Sequence, residues 1–166
     1  MDDKAIRTKY NMITDLLMVK GLTITTMESC TGGLIASLLT DIEGSSAVIK
    51  GAYVTYSNEA KIMEGVSEKT IERFGVYSQE TAEAMANSCK KNFGADIGIG
   101  VTGTMGNVDP ANKDSSPGQI FYSVAYQNKC YSKDTIILPQ KCRYDYKLEV
   151  ADIIADSLIM IIQEKF

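Results

Sequence analysis

The chain contains no histidine and no tryptophan, and only three of its 166 residues are proline. Without histidine it cannot carry a Ser-His-Asp triad, a Cys-His pair or a histidine-ligated metal, so any hydrolase built on it must use another base. Its cysteines form no CxxC pair, which together with the missing histidine excludes the usual zinc sites. We therefore predict free thiols at Cys30, Cys89, Cys130 and Cys142, and neither a metal nor another cofactor.

The chain also lacks an excess of positive charge and a long apolar run. A net charge of −4 and a pI near 4.9 leave no basic patch, which argues against a nucleic-acid partner. The longest apolar stretch, 153–162, is interrupted by Asp156 and Ser157 and is too short to span a bilayer, so no membrane partner is predicted. Residues 1–4 lead directly into an amphipathic pattern without a cleavable signal, which predicts a cytoplasmic protein.

The length of the chain fits a single domain, residues 1–166, that buries its own core. Strand-like and helical patterns alternate along it and end in two consecutive strand-like runs. This order predicts an α/β fold, a three-layer α/β/α arrangement with a mixed, mostly parallel sheet and a C-terminal antiparallel hairpin. The predicted strands are 22–26, 47–55, 96–101, 119–126 and 130–138, and the predicted helices are 3–20, 34–39, 58–64, 67–75, 79–93 and 145–164.

The segment 26–33, with the sequence TMESCTGG, joins the first predicted strand to a helix. Such a turn places Ser29 at the carboxyl end of the strand, and the N–H groups of 31–33 at the helix start are predicted to bind an anion or an oxyanion. The segment has the spacing of neither GxGxxG nor GxxxxGK[ST]. The residues alone leave a structural alternative open, in which Thr31 caps the helix and the glycines only turn the chain.

Other polar residues follow the ends of neighbouring predicted strands. Because ligands of such sheets bind at the carboxyl ends of the strands, we expect Ser29, Tyr56 and Thr102 to meet at one mouth. Ser57 is predicted to cap a short helix that brings Lys61 to the same place. The segment 104–116 is rich in glycine, proline, asparagine and aspartate, which predicts a loop, and long loops in compact domains are often functional.

Several motifs, taken in this order, resemble the signature of the CinA C-terminal domain family. They are GLT at 21–23, ESCTGG at 28–33, GSS at 44–46, TYSNEAK at 55–61, GAD at 94–96, VTG at 101–103 and PG at 117–118. The resemblance covers nearly the whole chain and implies hydrolysis of nicotinamide mononucleotide to nicotinate mononucleotide and ammonia, in pyridine nucleotide salvage. Longer members carry an additional amino-terminal domain, so the resemblance indicates a stand-alone form.

Carried over by position, the resemblance makes Ser29 the nucleophile, Lys61 and Tyr56 its activating partners, and Arg143 a phosphate ligand. The other substrate contacts that it implies are Glu28, Cys30, Thr31, Gly32, Gly33, Thr102 and Gly103. Chemistry independently requires such a set, since a serine without histidine needs a neutral lysine or a tyrosine relay to take its proton. The residue types alone leave open a solvated helix lysine at 61, a core tyrosine at 56 and a helix-start charge at 143.

Two further residues of the turn have alternative roles. Cys30 is a rival nucleophile, but adjacent residues on a turn point in different directions, and we predict that Cys30 is packed. Glu28 is predicted to orient either Lys61 or the backbone of the turn.

The segment after Gly103 departs from the family pattern, which has a glycine-rich GxxGPxGG loop there. This chain has TMGNVDP at 104–110, and such a bulkier, acidic loop would narrow the pocket or repel a phosphate. A second hypothesis is therefore a nucleotide-binding module that keeps the pocket but has lost turnover.

The predicted hairpin suggests an assembly. Residues 120, 122, 124 and 126 lie on one face and 121, 123 and 125 on the other, so both faces are largely apolar and one is predicted to stay exposed. Exposed apolar patches mark interfaces, and the resembling family forms homodimers, so a two-fold homodimer is predicted. The alternative is a monomer whose C-terminal helix covers the hairpin.

Overall fold

The computed structural model describes residues 2–113 and 115–164, and within them five strands form one sheet between two layers of helices. The strands are β1 (Ile24–Glu28), β2 (Ile49–Val54), β3 (Ile97–Gly103), β4 (Gln119–Tyr126) and β5 (Lys129–Ile136). The helices are α1 (Asp3–Lys20), α2 (Leu34–Leu39), α3 (Asn58–Met63), α4 (Glu68–Phe74), α5 (Gln79–Phe93) and α6 (Arg143–Glu164).

The sheet has the strand order β2-β1-β3-β4-β5. β1 is parallel to both β2 and β3, whereas β4 is antiparallel to β3 and β5, so every strand except β4 runs in the same direction. Helices α1, α2 and α6 cover one face and α5 covers the other. The predicted three-layer fold with its C-terminal hairpin is confirmed.

The helix boundaries follow from local chemistry. The Asp2 carboxylate accepts a hydrogen bond from the Lys4 N–H at the start of α1, and Gly21 ends that helix in a left-handed conformation. α5 packs closely on β3 because Gly100 has no side chain, and a Cβ there would clash with the carbonyl oxygen of Ala82. The position of α5 therefore depends on a glycine in the middle of a strand.

Only the strand predicted at 119–126 has the observed bounds, and two of the differences affect the edge of the sheet. β2 was expected to be covered on both faces, but it lies at the edge of the sheet and its side chains alternate between partly buried and exposed. β1 ends two residues later than predicted because its ladder continues to Glu28, which pairs with Val54 and Val101. Ser29 is consequently the first residue beyond the strand.

The prediction of an exposed apolar face on the hairpin is wrong. β4 lies between α5 and α6, where the Gln79 side chain donates to the Tyr122 carbonyl oxygen over 3.0 Å and the Tyr122 hydroxyl lies 2.7 Å from that of Ser157. The exposed positions of the hairpin's two strands belong to the edge strand β5 and include Lys133, Asp134 and a single apolar residue, Ile136. The homodimer stays a prediction that now rests on the family resemblance alone. Light scattering tests it, since a mass near 18.1 kDa would reject it.

Within the described ranges, no helix combines the length and the apolar character that crossing a membrane requires.

Candidate active site

The carboxyl ends of β1, β2 and β3 meet at one edge of the sheet. The Ser29 N–H donates to the Val101 carbonyl oxygen over 3.1 Å, and the Thr55 N–H donates to that of Glu28 over 2.8 Å. The connection from β1 to β2 places α2 on one face of the sheet, and the connection from β2 to β3, which runs through α3 and α4, places α5 on the other. This edge is therefore a topological switch point, where α/β sheets bind ligands. A cavity of about 560 Å³ opens there, a volume typical of small-molecule sites.

The base of the cavity holds Ser29 and Lys61 side by side. Lys61 lies on α3, a helix capped by the Ser57 hydroxyl, which accepts from the Ala60 N–H over 3.1 Å. The Lys61 Nζ lies 3.2 Å from the Ser29 Oγ and donates to the Thr55 carbonyl oxygen over 2.8 Å. The Lys61 side chain is only 1% exposed, so its amine points into the protein and not towards the solvent.

This environment makes the neutral amine of Lys61 more accessible than that of an exposed lysine. Burial lowers its pKa to about 8, against the opposing effects of Cys30, Asp109 and Glu59. An ammonium group has three N–H donors, but the two contacts given above are the only hydrogen bonds of Nζ to the described residues. A neutral amine fits both contacts, since it donates to the Thr55 carbonyl and accepts from the Ser29 hydroxyl.

Glu28 is the second buried charge at this edge, and it organises the turn. Its carboxylate, which is 0% exposed, accepts from the N–H groups of Gly33 at 3.0 Å, Ile35 at 3.1 Å and Ala36 at 2.8 Å. The Thr26 hydroxyl adds a fourth hydrogen bond, over 3.1 Å. Glu28 was predicted to orient either the backbone of the turn or Lys61. These hydrogen bonds show that it orients the backbone.

Two of the three N–H groups predicted to bind an anion at the start of α2 consequently have partners within the protein. The Gly33 N–H is bound to Glu28, and the Gly32 N–H donates to the Ser29 carbonyl oxygen over 3.0 Å. Within the described residues, the backbone N–H groups of Cys30 and Thr31 donate to no other residue, which leaves them as candidate oxyanion donors next to Ser29 in the chain; of the two residues, only Cys30 lines the cavity.

Thr31 does not cap α2, so the structural alternative for the turn is wrong on this point. The cap position is Gly33, whose φ of 91° suits glycine, and it provides no side-chain bond. The Thr31 hydroxyl is buried, as is that of Thr55, and neither has a hydrogen-bond partner among the described residues. A buried hydroxyl without a partner costs roughly 1–3 kcal/mol.

Cys30 lines the cavity but is a poor nucleophile there. Burial and the nearby Glu28 carboxylate raise the pKa of its thiol to about 12, although Lys61 and Arg143 act in the opposite direction. The thiol therefore stays protonated at neutral pH, and only the thiolate is reactive. This agrees with the prediction of a packed cysteine.

Tyr56 and Arg143 form a separate pair at the rim of the cavity. The Arg143 guanidinium donates to the Tyr56 hydroxyl over 2.7 Å, and Tyr56 is 60% exposed. The structure therefore brings Tyr56 to Arg143, and among the described residues its hydroxyl makes no hydrogen bond to Ser29 or Lys61. Lys147 lies one helical turn further along α6, and its Nζ is close to Gly32. A Cβ on residue 32 would lie only 2.9 Å from that Nζ.

Of the two residues of β3 that were predicted to contact the substrate, Thr102 and Gly103, only Gly103 lines the cavity. Thr102 is fully buried and donates to the Val76 carbonyl oxygen over 3.0 Å, below the cavity and not on its wall. Gly103, the last residue of β3, does line the cavity.

Sequence reasoning missed the polar wall that faces the reactive pair. Asp109 lines this wall and accepts from the Tyr77 hydroxyl over 2.5 Å, the Asn112 amide over 2.6 Å and the Ala111 N–H over 2.9 Å. These bonds hold the pKa of the Asp109 carboxyl below its usual range. The loop composition indicated a functional segment, but no local pattern singles out Asp109 or pairs it with Tyr77.

In the part of the chain that the structure describes, no group of three or more histidine, cysteine, aspartate or glutamate side chains is arranged to hold a metal ion.

Known proteins are similar to this chain over much of its length. The family model of the CinA C-terminal domain matches residues 7–150. A CinA-like protein of Chloroherpeton thalassium is 54% identical over 57% of this chain and 23% of its own length. A CinA-like protein of Fervidobacterium nodosum is 45% identical over 64% of this chain and 26% of its own length. The chain thus spans less than a third of these relatives.

Solved structures share the whole fold. The competence/damage inducible protein CihA of Agrobacterium tumefaciens is 31% identical, with a TM-score of 0.83 over 93% of this chain and 94% of its own. A CinA superfamily protein of Klebsiella pneumoniae is 19% identical, with a TM-score of 0.88 over 96% of this chain and 98% of its own. At that lower identity the likeness concerns the fold alone.

Proposed function

The chain belongs to the CinA C-terminal domain family, and from that starting point we propose that it is a nicotinamide-nucleotide amidase, converting nicotinamide mononucleotide to nicotinate mononucleotide and ammonia. The supporting observation is the buried Lys61 amine, 3.2 Å from the Ser29 hydroxyl at the base of a cavity. The names of the relatives state no chemical activity, so the reaction class rests on this geometry and on the motif resemblance.

The first step forms an ester with the enzyme. Neutral Lys61 accepts the proton of the Ser29 hydroxyl, and the serine oxygen attacks the carboxamide carbon. The carbonyl oxygen gains the negative charge and is stabilised by the N–H groups of Cys30 and Thr31. When the tetrahedral intermediate collapses, the carbon–nitrogen bond breaks and the Lys61 ammonium returns its proton to the departing nitrogen, releasing ammonia.

The second step reverses these roles with water. Neutral Lys61 takes a proton from a water molecule, whose oxygen attacks the ester carbon. The carbon–oxygen bond to Ser29 then breaks, and the proton on Lys61 returns to the serine oxygen. The product is the carboxylic acid, and the enzyme is restored with Lys61 neutral.

The rim pair gives the substrate its orientation. The Arg143 guanidinium suits a phosphate because its planar donors bind two oxygens at once, and Lys147 lies one helical turn away on α6. The Tyr56 hydroxyl accepts from Arg143 and in this scheme holds the guanidinium at the cavity, so the proton transfer is assigned to Lys61 alone. An acidic loop was expected to repel a phosphate, but the Asp109 carboxylate is bound by three donors of its own surroundings.

The decisive experiment is ammonia release from nicotinamide mononucleotide by the wild type and by Ser29→Ala. We expect measurable turnover that falls roughly a thousandfold or more in the variant, because the members of such a unit act together. Ammonia release by Ser29→Ala close to the wild type would exclude Ser29 as the nucleophile. Tight nucleotide binding without turnover on this or any related carboxamide would replace the amidase with a binding module.

The cytosolic location predicted from the sequence is part of the same proposal, and cell fractionation tests it.

A further inference from the structure

The segment 104–113 forms much of the cavity wall, yet it is poorly anchored by apolar burial. Met105 is 2% exposed, whereas Val108 is 59% exposed. The base of the segment is fixed by the Thr104 N–H, which donates to the Gln119 carbonyl oxygen over 2.9 Å, and by the Gly118 N–H, which donates to that of Met105 over 2.6 Å. Beyond that base, polar contacts must hold the segment in place.

Those contacts converge on Asp109. Its Oδ2 accepts from both the Tyr77 hydroxyl and the Asn112 amide, and its Oδ1 accepts from the Ala111 N–H. Its own N–H donates to the Ser115 hydroxyl over 2.9 Å. Hydrogen bonds to a carboxylate are shorter and stronger than neutral ones, so Asp109 is the dominant anchor of the segment.

The same network reaches the helix that carries Lys61. The Asn112 Oδ1 accepts from the Asn58 amide over 3.2 Å, and Asn58 is the first residue of α3, three positions before Lys61. The Val76 carbonyl oxygen, adjacent to Tyr77, is in turn bound by the Thr102 hydroxyl of β3. Asp109 thus ties the segment to α3 on one side and to the residues before α5 on the other.

We propose that Asp109 is a positioning residue, which holds the segment 104–113 against Tyr77 and Asn58 and thereby keeps the Lys61 amine away from water. The proposal deepens the proposed function, since a dehydrated lysine is what that mechanism needs.

The negative charge of Asp109 makes the proposal testable, because charge and position have opposite effects on Lys61. The titratable or charged groups around Lys61 are Cys30 after β1, Glu59 on α3, Asp109 on the loop and Arg143 across the cavity. Removing the Asp109 charge alone would lower the pKa of Lys61. Releasing the segment would admit water and raise that pKa towards its ordinary value.

The experiment follows the ¹³Cε chemical shift of Lys61 with pH in the resting protein, with the signal assigned through Lys61→Met. The variants are Asp109→Asn, which removes the charge and leaves only one acceptor oxygen for the three donors, and Tyr77→Phe, which removes one donor and keeps the charge. Glu59→Gln is the matched control, because it removes a neighbouring carboxylate that is not bonded to the segment. We expect the pKa of Lys61 to rise by roughly one unit in Asp109→Asn and clearly in Tyr77→Phe, and to stay or fall in Glu59→Gln.

The proposal would be overturned if the pKa of Lys61 fell in Asp109→Asn as it does in the control. It would also be overturned if the pKa of Lys61 in Tyr77→Phe equalled that of the wild type. If Asp109→Asn does not fold, Tyr77→Phe decides alone. The measurement needs no substrate, so a protein that hydrolyses no amide would refute the proposed function and leave this test intact.

Discussion

Two charged side chains are buried at the same edge of the sheet, and their surroundings differ completely. Glu28 is 0% exposed and has four donors for its carboxylate. Lys61 is 1% exposed and has a serine hydroxyl and one carbonyl oxygen. A fully bonded buried charge stabilises one conformation, whereas a poorly bonded one favours its neutral form. We infer that Glu28 stabilises the structure of the turn, whereas Lys61 takes part in the chemistry at Ser29.

The largest expected effect tests the chemical half of that comparison. Lys61→Met should lower turnover roughly a thousandfold or more, about 4 kcal/mol of barrier, because among the described residues only Lys61 offers a base hydrogen-bonded to the Ser29 hydroxyl. Lys61→Arg should fail equally, since a guanidinium cannot act as a base. Ammonia release measures both, and circular dichroism serves as the folding control. Turnover retained in Lys61→Arg would show that Lys61 acts only through its charge.

The next effect tests the structural half. Glu28→Gln should destabilise the protein by about 3 kcal/mol, because an amide replaces a carboxylate that faces backbone donors. Urea unfolding measures the loss, and the exposed Glu43→Gln is a matched control that should stay within about 0.5 kcal/mol of the wild type. Similar stability of the two variants would contradict the role given to Glu28.

Glu28 also has a consequence for substrate binding. Because its carboxylate already occupies the start of α2, a substrate phosphate must rely on α6, and Arg143→Ala should raise KM roughly tenfold to a hundredfold with a smaller change in kcat. Steady-state kinetics with nicotinamide mononucleotide and its dephosphorylated nucleoside provide the measurement. An equal effect of the variant on both substrates would show that Arg143 does not bind the phosphate.

The smallest effect is a pH dependence. The pKa of Lys61 is lowered to about 8, so kcat/KM should rise with pH through that value and be about tenfold below its plateau at pH 7. Stability should follow the same sign: the unfolded lysine binds more protons between pH 8 and 10.5, so unfolding free energy should rise over that range relative to Lys61→Met. A rate that is flat from weakly acid to alkaline pH, with chemistry rate-limiting, would contradict a titrating lysine.

Much of the fold could be predicted because its signals are local. Gly21, Ser57, Ser78 and Gly94 mark helix ends at the positions where the structure has them. The buried stripe of α5 follows directly from its 3.6-residue period. The exposure of β2 and the burial of β4 could not be predicted, because strand order in the sheet decides which strand is an edge.

The candidate site shows the same division. The sequence by itself determined that Ser29 follows a strand, that Lys61 lies on a capped helix and that no histidine can help, since these depend on residue types and short spacings. Only the tertiary structure decided that Glu28 binds the start of α2, that Tyr56 meets Arg143 and that Asp109 meets Tyr77. Those contacts join residues that are distant in the chain or depend on side-chain direction, and both are set by how strands and helices pack and not by local sequence.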